Sequence, residues 1–131
     1  MAAQAILRKS YQFPIDTFTT NILGTINILE ALRQTDSVRV FLNVTSDKCY
    51  EPSSSEHSYT ETDSLGGHDP YSCSKACSEL VTSAYRDSYF QNINESKSRI
   101  HIATARAGNV IGGGDWSSQR LIPRSEEHTS E

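Results

Sequence analysis

The stretch Val38-Arg-Val-Phe-Leu-Asn-Val44 decides the fold class of this 131-residue chain. It is a short, nearly continuous apolar run with several β-branched residues, which is typical of a strand buried on both faces of a parallel sheet. The preceding residues, Asp16 to Gln34, predict an amphipathic helix, and Asp16 or Thr17 is placed to cap its start. The apolar positions of this helix are Phe18, Ile22, Ile26, Leu29 and Leu32.

The chain repeats this pattern further on. Pro70 suits the first turn of a helix, and apolar residues recur at helical spacing from Tyr71 to about Phe90. The run Ile100-His-Ile-Ala-Thr-Ala105 predicts a second strand. The order helix, strand, long loop, helix, strand therefore indicates a piece of an α/β sheet.

Two polar loops follow the predicted strands. The first runs from Ser46 to Pro70, which is long for a connection in a compact domain, and the second is glycine-rich and runs from Arg106 to Trp116. Because ligands of open α/β sheets bind beyond the carboxyl ends of the strands, we expect both loops to border one crevice. Gly24 interrupts the first helix at a cost of about 1 kcal/mol relative to Ala, so we expect a partner backbone or a ligand close to it.

Composition limits the partners of the chain. Sixteen acidic and twelve basic residues give a net charge of −4 without a Lys/Arg cluster, so nothing supports binding to nucleic acid or to an anionic membrane. No apolar run reaches the length of a membrane span and no signal peptide is recognisable, so we expect a cytoplasmic protein. Three cysteines argue against a disulfide framework, and their spacing fits no zinc site, so we expect reduced thiols and no metal.

Tyr71 and Lys75 form a pair that can handle a proton. Four residues apart on a helix, their phenol and ammonium groups lie on one face, one turn apart. A free phenol has a pKa of about 10, and a neighbouring cation lowers it. Such a pair can also be an ordinary feature of a helix surface. Its expected position beside Ser46-Asp47-Lys48, at the end of the first strand, favours a site.

Five motifs follow one another along the chain: Ala2-Ala-Gln4, Thr20-Asn-Ile-Leu-Gly-Thr25, Val44-Thr-Ser-Asp-Lys-Cys-Tyr50, Tyr71-Ser-Cys-Ser-Lys75 and Arg106-Ala-Gly-Asn-Val-Ile-Gly-Gly-Gly-Asp-Trp116. In this order they resemble the extended short-chain dehydrogenase/reductases, the NAD-dependent epimerase/dehydratase family that modifies nucleotide sugars. The resemblance covers about residues 1 to 123. It implies a Rossmann-type parallel sheet, NAD as the cofactor, a nucleotide sugar as the substrate and a homodimeric full-length enzyme.

The resemblance also implies catalytic roles. Tyr71 would take the proton of the sugar C4 hydroxyl while a hydride passes from C4 to the nicotinamide, and Ser46 would hydrogen-bond the same hydroxyl. Lys75 would lower the pKa of Tyr71 and hold the nicotinamide ribose. Asp47 would protonate the departing C6 hydroxyl, after which the hydride returns to C6. The implied net reaction is the loss of water without consumption of NAD.

Lys48 indicates which branch of the family the chain resembles most. Many sugar-nucleotide dehydratases have Asp-Glu where this chain has Asp47-Lys48, and the Asp-Lys pair resembles the branch that acts on CDP-glucose. If Lys48 removes the C5 proton, its pKa must be depressed by burial or by nearby positive charge. Otherwise Lys48 is a solvated lysine or a positioning group, and the sequence leaves these alternatives open.

Other positions match binding contacts of the family. The implied cofactor contacts are Ala2, Ala3, Thr20, Tyr71 and Lys75. The implied substrate or diphosphate contacts are Gln4, Ser10 and Asn109.

The chain also departs from the family pattern. It has no glycine-rich turn of the dinucleotide-binding type before its first helix, and its one glycine cluster, Gly112 to Gly114, comes late. We therefore interpret residues 1–123 as the second half of a Rossmann-type domain, without the glycine-rich N-terminal half and the C-terminal substrate domain, and we expect it to be inactive alone. Residues 124–131 carry no apolar period, and we interpret them as a non-native, disordered tail.

Two other functions remain open. The first is another nucleotide-sugar dehydratase or an epimerase of the same family, although Asp47-Lys48 disfavours the epimerases. The second is a non-catalytic module that oligomerises through the two helices. Its contact surface would be formed by Ile22, Ile26, Leu29, Leu80 and Ala84.

Overall fold

Two parallel strands form the sheet of this protein. In a computed structural model that describes residues 2–54, 56–91 and 100–114, β1 (Val40–Val44) pairs with β2 (His101–Ala105). The register places Val40 opposite His101 and Val44 opposite Ala105. Helices connect and cover these strands, which confirms the predicted α/β class. The proposed tail, 124–131, lies outside the described residues.

The helical segment before β1 starts earlier than the sequence suggested. Its described elements are α1 (Leu7–Gln12), α2 (Pro14–Phe18), a π-helical turn (Thr19–Leu23) and α3 (Gly24–Arg33), and the last three are continuous. Because Pro fits the first position of a helix, α2 begins at Pro14, and the predicted cap at Asp16 or Thr17 is wrong. The Thr17 hydroxyl lies inside the helix and donates to the carbonyl oxygen of Phe13 at 3.0 Å.

The second helix, α4 (Pro70–Tyr85), begins as predicted. Pro70 occupies its first turn, and the Asp69 carboxylate accepts hydrogen bonds from the Ser72 backbone N–H at 2.9 Å and from the Ser72 hydroxyl at 2.6 Å. This cap satisfies a backbone donor that the helix itself leaves unpaired. The helix continues through a π-helical turn, Arg86–Phe90, to the expected end.

The hydrophobic core lies between the helices and one face of the sheet. Its buried members are Leu29, Leu32, Ile100 and Ile102, and Phe41 packs against them. Successive strand residues point to opposite faces, and on the other face Val40 and Leu42 are 67% and 54% exposed. The prediction of a strand buried on both faces is therefore wrong, because the described helices cover only the face that carries Phe41 and Ile102.

Hydrogen bonds hold α3, α4 and β1 together where the core ends. Asn21 Nδ2 donates to Ser74 Oγ at 2.8 Å, and the hydroxyls of Thr25 and Ser78 lie 2.9 Å apart. Asn43 Nδ2 on β1 donates to Ser78 Oγ at 3.0 Å and to Thr82 Oγ1 at 2.9 Å. We call these residues the polar seam: Asn21, Thr25, Asn43, Ser74, Ser78 and Thr82. Its directional bonds specify how the helices sit on the sheet.

The loop between β1 and α4 is anchored at both ends. It opens with a 3₁₀ turn (Asp47–Cys49), and Tyr50 forms an isolated bridge with Leu65. At its other end, a Cβ on Gly67 would come within 2.6 Å of the Cys73 backbone nitrogen, so the loop lies directly on the start of α4. The long loop is therefore a fixed wall beside the carboxyl ends of the strands.

The three cysteines are free thiols. Burial raises the pKa of the Cys49 thiol to about 11, which keeps it protonated at neutral pH. Across residues 2–54, 56–91 and 100–114, no group of His, Cys, Asp and Glu is arranged to hold a metal ion. Over the same residues, no helix has the length and apolar character needed to cross a membrane.

Candidate active site

A cavity of about 920 Å³ opens at the carboxyl ends of β1 and β2. It is bordered by the turn after β1, the first turns of α4, the loop after β2 and the segment that precedes α1. The structure brings together in its lining all but two of the site residues that the sequence suggested. These are Ala2, Ala3, Thr20, Ser46, Asp47, Lys48, Tyr71, Lys75 and Asn109.

The turn after β1 is held by backbone hydrogen bonds to the next strand and its loop. Thr45 N donates to the carbonyl oxygen of Ala105 at 2.9 Å, and Asp47 N donates to that of Ala107, also at 2.9 Å. The buried Ser46 hydroxyl accepts from Lys48 N at 3.2 Å and caps the 3₁₀ turn. The two strand ends are thereby joined, and the Asp47 and Lys48 side chains extend from a fixed backbone.

Asp47 and Lys48 contact each other at the mouth of the cavity. Lys48 Nζ lies 3.3 Å from Asp47 Oδ2, and the two side chains are 59% and 41% exposed respectively. Contact with water and with a carboxylate stabilises an ammonium over a neutral amine. This geometry fits a Lys48 that positions Asp47 better than a Lys48 that acts as a base.

Tyr71 and Lys75 lie on the cavity side of α4. Lys75 is 7% exposed, and its Nζ lies 6.0 Å from the centre of the Tyr71 ring. Within residues 2–54, 56–91 and 100–114 the Lys75 ammonium has no hydrogen bond and no ion pair. Burial lowers the pKa of Lys75. A buried cation without a partner is costly, so this position suits a ligand that brings oxygen atoms to it.

Gly24 also lines the cavity. A Cβ built at this position meets no atom within 4 Å, so among the described residues no partner backbone comes close. The open space at Gly24 is compatible with the ligand explanation that the sequence offered for this glycine. Together with Ala2 and Ala3, Gly24 keeps this part of the wall free of side-chain bulk.

Gln4 and Ser10 lie outside the cavity. The Gln4 amide donates to Thr17 Oγ1 at 2.9 Å and accepts from Ile6 N at 2.6 Å. Ser10 is fully buried, and its hydroxyl donates to the carbonyl oxygen of Leu7 at 2.7 Å. The Gln4 side chain ties the first residues to α2, whereas the Ser10 hydroxyl bonds within α1. The assignment of both as substrate contacts stays a prediction.

Asn21 is a cavity residue that the sequence reasoning missed. Its side chain donates to the backbone oxygen of Gln4 at 3.1 Å and accepts from Gln4 N at 2.9 Å, which secures the segment bearing Ala2 and Ala3. It lies in the π-helical turn, a feature that often marks functional sites in helices. An amide on the buried side of an apolar helix was the signal available in the sequence.

A buried ion pair between Glu79 and Arg106 was missed as well. Arg106 Nη2 lies 3.2 Å from Glu79 Oε2, and the side chains are 15% and 4% exposed respectively. Burial raises the pKa of Glu79, but hydrogen bonds from Arg106, Thr45 and Thr104 outweigh it, so the pKa lies below its ordinary value. No local spacing in the sequence indicates this pair, because Glu79 and Arg106 lie 27 positions apart.

The sequence profile of the GDP-mannose 4,6 dehydratase family matches residues 1–101 of this chain. The chain belongs to this family. It is also 49% identical over 123 residues to the CDP-glucose 4,6-dehydratase of Salmonella typhimurium, an alignment that covers 94% of this chain. These matches confirm the resemblance to the enzymes that modify nucleotide sugars. The chain spans about a third of the length of that relative, 34%.

Solved structures of the family share this fold. A dTDP-glucose 4,6-dehydratase from Streptomyces venezuelae with NAD bound is 25% identical with a TM-score of 0.83, and the match covers 99% of this chain and 37% of that one. A UDP-glucose 4-epimerase from Brucella ovis in complex with NAD is 23% identical with a TM-score of 0.75. This match covers 95% of this chain and 37% of the epimerase chain. The two strands and their helices therefore correspond to part of a larger NAD-binding Rossmann fold.

Proposed function

We propose that this chain carries the catalytic groups of a nicotinamide-dependent nucleotide-sugar 4,6-dehydratase that acts on CDP-glucose. The observation that carries the proposal is the convergence of Ser46, Asp47, Tyr71 and Lys75 on one cavity at the strand ends. The 49% identity to the Salmonella enzyme supports CDP-glucose as the substrate. The exclusion of water by a formed cavity would strengthen each electrostatic contact made there.

The cavity residues fit a nicotinamide cofactor. The Lys75 ammonium is buried and has no partner among the described residues, so ribose hydroxyls would satisfy it. Thr20 and the small residues Ala2, Ala3 and Gly24 also line the cavity, and Gly24 leaves open space there for part of a cofactor. When bound, the nicotinamide supplies the reversible uptake of a hydride.

Each side chain then has a defined task. The Tyr71 phenolate accepts the proton of the sugar C4 hydroxyl, and the nearby Lys75 ammonium stabilises that phenolate. Ser46 donates a hydrogen bond to the oxygen at C4 and orients it. The carboxylate of Asp47, whose backbone is tied to Ala107, takes the C5 proton, which the C4 carbonyl makes acidic, and then passes it to the departing C6 hydroxyl so that water leaves. Lys48 positions Asp47.

The outward face of α4 supports a homodimer. Leu80 is 58% exposed and Ala84 is exposed beside it. Leu29, which the sequence placed in such a surface, is fully buried in the core, and that assignment is wrong. We propose that two copies pack through Leu80 and Ala84. Sedimentation velocity should show a dimer that Leu80→Glu converts to a monomer, and an unchanged sedimentation coefficient would contradict the proposal.

A chimera tests the proposed activity. The 123 aligned residues of this chain replace their counterpart in the Salmonella relative, which supplies the other two thirds of the enzyme. We expect the chimera to dehydrate CDP-glucose faster than dTDP-glucose or GDP-mannose, and the chain alone to show no turnover. A correctly folded chimera that dehydrates none of these sugars would refute the proposal. A preference for another nucleotide would refute only the choice of CDP-glucose.

A further inference from the structure

Lys75 and Glu79 have the spacing of a helix ion pair but do not form one. They lie four residues apart on α4, where opposite charges normally attract. Both are almost fully buried, with 7% and 4% of their surface exposed. No carboxylate of the described residues forms an ion pair with the Lys75 ammonium, and burial lowers the pKa of Lys75. The Glu79 charge is therefore engaged elsewhere.

Arg106 is the partner that engages Glu79. Its Nη2 lies 3.2 Å from Glu79 Oε2, while the hydroxyl of Thr45 donates to Glu79 Oε1. Arg106 is itself fixed, because its guanidinium lies 4.8 Å from the centre of the Tyr50 ring and its Nη1 donates to the carbonyl oxygen of Glu61 at 3.3 Å. Both carboxylate oxygens of Glu79 are thus occupied by residues at the ends of β1 and β2.

The other charged groups around the cavity do not take the place of Glu79. Besides Lys75 itself, the charged side chains in its lining are Asp47, Lys48 and Asp69, and Tyr71 is the neighbouring titratable group on α4. Asp47 pairs with Lys48, and Asp69 caps α4 through Ser72. Helices α1, α2 and α3 contribute no charged side chain to the lining among the described residues.

We propose that Arg106 is a positioning residue that keeps the Lys75 ammonium free for a ligand by holding the Glu79 carboxylate away from it. Without Arg106, the buried Glu79 charge would have Lys75 as its nearest cation along the helix, and the two would pair one turn apart. The ammonium would then be withdrawn from the cavity. The assignment of that ligand as a nicotinamide ribose rests on the proposed function, but the competition for Glu79 does not.

The test measures the Lys75 amine directly in the full chain. Trace acetylation with acetic anhydride between pH 7 and 11, followed by mass spectrometry of the Lys75 peptide, gives the pKa of its amine. In Arg106→Met we expect the Lys75 pKa to rise by about one unit, since an adjacent carboxylate stabilises the ammonium. In Arg106→Met/Glu79→Gln it should return to the wild-type value. Lys48, whose partner Asp47 is untouched, serves as the internal control for the labelling in all three proteins.

Two results would overturn the inference: an unchanged Lys75 pKa in Arg106→Met, or a rise that persists in the double variant. Unfolding does not imitate the expected result, because in an unfolded double variant the Lys75 pKa would stay at the value of a free lysine, about 10.4, instead of returning to the wild-type value. The activity of the parent chimera and the titration of Lys75 test the two proposals separately. If CDP-glucose is not dehydrated but Lys75 titrates as expected, the competition for Glu79 stands and the proposed function fails.

Discussion

Lys48 Nζ lies 3.3 Å from Asp47 Oδ2 at the mouth of the cavity, and the Lys48 side chain is more than half exposed. Both residues extend from a turn whose backbone is bonded to the loop after β2. The pair is therefore positioned by the fold before any substrate binds. Its geometry favours a positioning group over a general base, the two roles that the sequence left open for Lys48.

The Lys48 pair leads to a first prediction. In the chimera, Lys48→Arg should keep kcat within about threefold of the parent value, because Arg preserves the charge beside Asp47. Lys48→Met removes that charge and should lower kcat by more than about threefold. Removal of a general base usually costs about 10² to 10⁴-fold, and Arg cannot act as one at neutral pH. Steady-state rates of the parent chimera and of both variants with CDP-glucose distinguish a positioning group from a base. Equal losses in Lys48→Arg and Lys48→Met would identify Lys48 as the base.

Asn21 should matter for stability because it ties the N-terminal segment to α4. Asn21→Ala leaves Gln4 N without its acceptor and Ser74 Oγ without its donor. We expect a loss of about 2 kcal/mol in the free energy of unfolding, typical for buried groups left unpaired. Urea unfolding of the chain measures it. Asn27→Ala, at an exposed position of α3, should stay within about 0.5 kcal/mol, and equal effects would argue against the role of Asn21.

Gly24→Ala should separate stability from ligand binding. The new Cβ meets no atom, so the helix should gain up to about 1 kcal/mol from the better propensity of Ala. The same methyl group enters the cavity, and we expect NAD affinity of the chimera to fall by about tenfold, or about 1.4 kcal/mol. Gly112→Ala, free of contacts but outside the cavity lining, is the control. Unchanged affinity in Gly24→Ala, measured by calorimetry, would remove the ligand explanation for this glycine.

The buried Glu79 carboxylate predicts how stability responds to acid. Hydrogen bonds hold the pKa of Glu79 below its ordinary value of 4.5 despite burial. Its stabilising contribution is therefore complete above pH 4.5 and is lost as the pH falls through the folded-state pKa.

Glu79→Gln tests this acid response. At pH 7 it should be about 2 kcal/mol less stable than the wild type, because a hydrogen bond to a charged group is lost. The difference should shrink below pH 4.5, where the wild type loses its own carboxylate. Urea titrations from pH 3 to pH 7, with the exposed Glu51→Gln as control, measure both quantities. A difference that stays constant with pH would show that Glu79 does not titrate in this range.

Much of the site followed from sequence because it depends on local pattern and topology. Pro70 marks the start of α4, the run ending at Val44 marks a strand, and parallel strands place their carboxyl ends at one edge. Those rules suffice to bring Ser46, Tyr71 and Asn109 to one cavity. The family itself is indicated by a different signal, the resemblance of the five ordered motifs.

The missed features depend on packing that a linear pattern does not encode. The apolar period correctly identified Leu29 and Leu32, but in the first half of the helix Thr17 and Asn21 are the buried residues. A π-helical turn shifts the helix face there, and hydrogen bonds replace apolar contacts. Glu79 and its cation partner are separated by 27 positions, so only the folded chain reveals their contact.

The rate of CDP-glucose dehydration by the chimera carrying Tyr71→Phe tests the central claim most directly. Loss of the phenolic oxygen removes the proposed proton acceptor and leaves the ring, so we expect kcat to fall by about 10² to 10⁴-fold with little change in substrate affinity. Tyr11→Phe, an exposed tyrosine on α1, should retain the full rate. A Tyr71→Phe chimera that keeps kcat within threefold of its parent would contradict the claim that this cavity performs proton transfer through Tyr71.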